Sequence, residues 1–141
     1  MPLLLEQVPR LLFFTAVKMT AKAAGKFIGV LFLSRTVAHQ LHLATHSFSE
    51  HMALNTFYEE IVDHADGIAE QWQGEQEELL DIPTLAAKEA TDPLKYFKET
   101  LKWIQDNRYE AFEKDDTSIQ NDIDNVVKLF RSTIYKLRFL K

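Results

Sequence analysis

Apolar residues recur at steps of three and four along most of the chain, and that period predicts helices. The first helical pattern runs from about Pro9 to Ala44. Its stretch Phe27 to Leu33 is apolar all round, which predicts burial on more than one side and suggests a subunit contact. Ala21, Gly25 and Gly29 recur at steps of four and would let another helix approach closely. The second pattern starts near Ser47, where Ser47 and Glu50 form a capping-box pair. Its stripe is Leu54, Tyr58, Ile61, Ala65, Ile68 and Trp72, and Gly74 is its expected stop. A long connection follows over residues 75–91, with a short helical piece expected at Leu85 to Ala90. Asp92-Pro93 then opens the third helix as N-cap and first position, with the stripe Leu94, Phe97, Leu101 and Ile104. The fourth begins near Thr117, with the stripe Ile119, Ile123, Val126, Phe130, Ile134 and Leu137. Helix pair, long crossover, helix pair is the connectivity of an all-α, ferritin-like four-helix bundle. The chain therefore reads as one domain over residues 1–141, with a short N-terminal arm at 1–8.

Composition narrows the chemistry. The 141 residues contain no cysteine, which excludes disulfides, thiolate catalysis and Cys-ligated metal centres and agrees with a cytoplasmic protein. Four glycines and four prolines are too few for a sandwich or barrel. The longest apolar stretch is far shorter than a membrane span, so no membrane partner is expected. The formal charge of −5 argues against a generic polyanion binder. That charge is uneven: residues 1–45 carry +4, residues 46–92 carry −11 and residues 93–141 carry +2.

All five histidines, His39, His42, His46, His51 and His64, lie within 26 residues that overlap the acidic region. Imidazoles among carboxylates without thiols favour a hard-to-borderline metal ion. On the second helix His51, Asn55, Glu59, Val62, Asp66 and Glu70 share a face beside the apolar stripe, where a second chain could cover it. An intrasubunit di-iron carboxylate site needs Glu-x-x-His on two helices, and the chain has none. A hemerythrin-like site needs histidine on all four helices, and residues 71–141 contain none. A metal site would therefore draw on one half of the chain and be completed by a second subunit.

The spacing His39, His51, Asn55, Asp66, Glu70, together with the string from Asp63 to Glu70, resembles the core of the Dps family, the DNA-protecting mini-ferritins. The strict likeness covers about 32 residues, and the helix order extends it loosely over the chain. It implies a hollow twelve-subunit cage with a ferroxidase site at a two-fold interface. His39, His51 and position 55 would come from one chain, and Asp66 and Glu70 from its mate. Iron, or another divalent cation, would bind there. Fe(II) would be oxidised by peroxide or oxygen, the ferric product stored, and DNA protected. Three positions depart from the family pattern. Asn55 stands where the family has Asp, Gln40 where it usually has Trp, and the turn from Leu43 to Ser49 lacks the usual glycine. These departures motivate the alternative, a structural or scaffold oligomer with a degenerate metal site and no oxidase activity.

Other residues have plainer readings beside functional ones. His42 and His46 are extra ligands or an exposed helix face, and His64 a surface or interface residue. Glu59 and Asp63 are solvated acids or cavity-lining cation attractors. Lys18, Lys22 and Lys26 form a basic row that would meet DNA phosphates, or a wet helix face. Trp72 and Trp103 are packing residues.

Overall fold

A computed structural model describes the backbone of residues 2–141 and the side chains of residues 21–141. Four helices form, α1 (Pro2–Ala44), α2 (Phe48–Gln76), α3 (Pro93–Ala111) and α4 (Thr117–Phe139), and no strand occurs among the described residues. The arm assigned to residues 1–8 and the side chain of Lys18 lie outside the described side chains. Among the described residues no helix is long and apolar enough to cross a membrane.

Capping sets the helix starts. The Ser47 hydroxyl accepts from the Glu50 amide at 3.3 Å, and Asp92 and Asp116 do the same for Lys95 and Ile119 at 3.2 and 3.3 Å. The capping box is closed indirectly. Ser47 N–H donates to Thr45 Oγ1 at 3.0 Å, and that hydroxyl donates to Glu50 Oε1 at 3.3 Å. Gly74 does not stop α2. The helix runs to Gln76 and ends where Glu77 turns left-handed at φ 54°.

Helix α1 packs on α2 and α3, and α4 packs on the same two, so α1 faces α4 across a diagonal. Gln71 of α2 bonds Ser118 and Asp122 at the start of α4, while Phe57 meets Phe130 further along, so the two helices run antiparallel. Phe27 of α1 meets Phe112 just beyond α3, and Leu33 shares a cleft wall with Tyr96 near α3's start. Helix α3 is therefore antiparallel to α1 and parallel to α2. The core centres on Phe57, Phe97 and Phe130, packed edge-on or tilted at 4.6 to 5.5 Å between centroids. The expected stripes supply it, with Tyr58, Leu94, Leu101 and Ile134 half-buried at its margin.

Two expectations about the connection are corrected. The close approach permitted by Gly25 and Gly29 is made by the connection of the same chain, not by a helix or a second subunit. A Cβ on Gly25 would lie 2.2 Å from the Asp81 carbonyl oxygen, and one on Gly29 would lie 2.9 Å from that of Pro83. This strand of chain covers part of the all-round apolar stretch of α1. Residues 85–90 form no helix, although Leu-Ala-Ala-Lys-Glu-Ala are all strong helix formers. Ala86, Ala87, Lys88 and Glu89 are exposed, so a single turn here would bury no face that could offset nucleation.

Candidate functional site

The last turn of α1 and the first turns of α2 bring His39, His42, His51 and Tyr58 together. The His39 ring stacks on Tyr58 at 4.2 Å and 12° between planes. His42 and His51 stack at 3.6 Å and 20°, with Tyr58 edge-on to His42 at 5.2 Å. His42 Nδ1 contacts the His51 carbonyl at 2.7 Å, and His51 Nδ1 contacts the His42 carbonyl at 2.9 Å. A carbonyl only accepts, so both Nδ1 atoms carry the proton and donate. The His51 bond satisfies one of the carbonyls left unpaired at the end of α1. Asn55 Oδ1 accepts from the Tyr58 hydroxyl at 2.8 Å, which fixes the amide against α2 itself.

The constellation expected from sequence is thereby divided. His39, His51 and Asn55 gather at one end of α2, with His42 buried among them. Asp66 and Glu70 are exposed on the same helix, about 22 and 28 Å further along at 1.5 Å per residue. Within one chain they do not meet the histidines. Among the described residues no three His, Asp or Glu side chains are grouped to hold a metal ion. The stacked pair itself cannot chelate one ion. Each nitrogen lone pair lies in its ring plane, and two planes 3.6 Å apart and 20° from parallel meet far beyond a bond of ~2 Å. His46 and Glu59 are exposed, and His64 is half-buried. Lys22 and Lys26 are exposed, with the Lys26 ammonium 5.8 Å from the Trp103 ring centroid.

Two polar groupings were not legible beforehand. Arg108 donates from Nε to Gln120 Oε1 at 2.8 Å and from a terminal nitrogen to the Gln120 carbonyl at 2.9 Å and to Asp124 at 2.8 Å. The buried Gln120 amide nitrogen donates in turn to the carbonyls of Phe112 and Glu113 at 3.1 and 3.2 Å, binding the α3–α4 turn. Tyr58 was the other omission, since its place in the apolar stripe concealed its role against His39 and Asn55. The Tyr96 phenol lies against the cleft under the connection. Burial raises its pKa to about 12, opposed in part by a hydrogen bond with Thr100.

No solved structure matches the chain. A curated relative from Enterobacteria phage T4, an uncharacterized 14.6 kDa protein in the mobD-ri intergenic region, is 27% identical over 116 residues, spanning 81% of this chain and 87% of its own length. The family model that matches, over residues 42–137, describes a family of unknown function (DUF5856). These matches correct the resemblance to the Dps family, which neither of them supports. Four of the five positions that carry it sit on the amphipathic α2, where helical periodicity alone returns polar residues at steps of four and eleven, and His39 lies near the end of α1. With two-thirds of its length matched, the chain belongs to the family of unknown function DUF5856.

Proposed function

We propose that this chain is a structural protein that assembles with copies of itself. The observation that supports this reading is the distribution of exposed apolar side chains. Of eight large hydrophobics exposed among the described residues, Leu43, Phe48, Met52, Tyr135, Phe139 and Leu140 lie at the end of the bundle where α1 and α4 finish and α2 starts. A cluster of this kind marks a contact surface. The histidines beneath it favour a structural role, because their Nδ1–H groups and ring faces hold the α1–α2 turn. In the same reading the connection over residues 77–92 is a crossover, since it joins two parallel helices along the flank of α1. Sedimentation velocity over a wide concentration range tests the reading. A particle heavier than the 16.3 kDa chain is expected, and a monomer throughout would overturn it.

Fe(II) binding and oxidation between copies is a second reading, favoured by one observation. With Nδ1 held by carbonyls, Nε2 of His42 and of His51 is left free, as it is in histidines that bind metals. Asp66 and Glu70 of another copy would complete a site on one of these two nitrogens, since the stacked rings do not share an ion. Saturable Fe(II) oxidation by peroxide, lost in His51→Ala, is its expected signature; no Fe(II) uptake by the assembled protein would end it.

A further inference from the structure

The apolar cluster where α1 and α4 finish and α2 starts is uncovered by the described residues. Phe48 and Phe139 are 78% and 68% exposed, Met52 and Tyr135 are exposed between them, and the Tyr135 and Phe139 rings lie 5.9 Å apart. Phe57 faces Phe130 in antiparallel helices, so Tyr135 and Phe139 come level with the first turns of α2 and the four side chains form one patch.

The opposite end of the bundle is uneven. Gly25 lies under Asp81, just past the end of α2, and Phe27 meets Phe112, just past the end of α3. Gln71 bonds Ser118 at the start of α4. The other three helices therefore finish or begin near the level of residues 21–27, whereas α1 continues back to Pro2. The nineteen residues from Pro2 to Thr20 amount to about 28 Å of helix, and no other helix of the chain is long enough to accompany most of it.

The sequence of this segment calls for a neighbour. Ten of its nineteen residues are Leu, Val, Phe or Met, and only Glu6, Arg10 and Lys18 are charged. Its apolar positions fall on both sides of a helical wheel, with Leu4, Val8 and Leu11 opposite Phe13 and Val17. A helix apolar on several sides is a helix that is covered in the assembled state. Its own chain's patch is out of reach, since α1 leads the segment away from the bundle and Leu43 lies about 33 Å back along α1 from Ala21.

We infer that the segment Pro2–Thr20 of one copy docks on the patch of Phe48, Met52, Tyr135 and Phe139 of a second copy. One contact then serves both unpartnered surfaces. Pairing two patches about a two-fold axis would leave both segments without a partner and would bring the exposed Arg138 and Lys141 of the two copies together. The contact is heterologous: each copy gives a segment and receives one, so the copies close into a ring or extend as a filament.

This inference rests on the proposed self-association, and its test separates the two. Sedimentation velocity is run on wild type, on Leu4→Glu/Leu11→Glu in the segment, on Phe48→Glu/Phe139→Glu in the patch, and on an equimolar mixture of the two variants. Wild type forms particles larger than a dimer. Each variant alone is monomeric where wild type assembles, its association weakened at least tenfold. The mixture forms dimers and nothing larger, because the one intact pairing is the segment of the patch variant with the patch of the segment variant. A variant that assembles as wild type does, or a mixture that stays monomeric, overturns the inference and leaves self-association standing. A monomeric wild type overturns both; if that monomer binds phosphatidylglycerol vesicles and Leu4→Glu/Leu11→Glu does not, the segment belongs to a lipid surface instead. The buried core of the described residues begins at Ala24 and both phenylalanines are exposed, so helical circular dichroism of the bundle is retained in each variant.

Discussion

His42 and His51 donate to each other's backbone carbonyls, at 2.7 and 2.9 Å, across the turn that joins α1 to α2. Two side chains nine residues apart thus close a ring through the backbone, and their ring faces stack 3.6 Å apart. Removal of either ring leaves the other residue's carbonyl short of its donor in a half-buried setting, while the remaining Nδ1–H keeps its backbone acceptor but loses the ring stacked on its own. His42→Ala and His51→Ala are each expected to destabilise the fold by about 1–3 kcal/mol. The double variant should lose clearly less than the sum, because the two bonds form one unit. Urea unfolding of all four forms checks this, and strict additivity would show that the rings act separately.

Gly25→Ala should release the connection. Its Cβ would fall 2.2 Å from the Asp81 carbonyl oxygen, and backbone on both sides leaves little room to yield. Faster proteolysis within residues 78–91, with the four helices still formed, is the expected result. Gly67→Ala is the control, because its Cβ meets open space and helix propensity favours alanine by roughly 0.5–1 kcal/mol. If Gly25→Ala resists protease as wild type does, the connection does not lie on α1.

The Tyr96 phenol stays protonated in the fold until about pH 12, against an ordinary value near 10, because burial penalises the phenolate. Between those values the unfolded chain gives up the proton while the folded chain keeps it. Stability is therefore full below pH 10 and falls as pH rises towards 12, by about 2–3 kcal/mol in total. Tyrosinate absorbance on raising the pH should show a late step from Tyr96, and Tyr96→Phe should abolish it.

Much of the bundle was legible because burial on one face of a helix leaves a periodic mark. The stripes from Leu54 to Trp72 and from Ile119 to Leu137 form the core nearly as read, and Asp92-Pro93 opens α3 where capping chemistry requires it. Contacts between turns leave no such mark. Nothing in the spacing of His42 and His51 distinguishes a ring that binds metal from one that holds a carbonyl. The distance from His51 to Asp66 was implicit in the helical rise, so those residues could meet only through a second chain. Asn55, read as a weakened ligand, is an acceptor for Tyr58. Glycine was ambiguous in the same way, since a small residue permits an approach without stating what approaches.

Residues 85–90 give the sharpest test of that limit. Their composition favours helix, yet they run without regular structure, with only Leu85 and Ala90 half-buried. If the connection owes nothing to helical hydrogen bonds, Ala87→Pro removes none of them and should change stability by less than about 1 kcal/mol, since unfavourable proline effects arise from lost bonds and clashes inside helices. The same substitution at Thr100, buried within α3, should cost about 3 kcal/mol or more. Comparable losses at both positions in urea unfolding would mean that residues 85–90 are helical in solution.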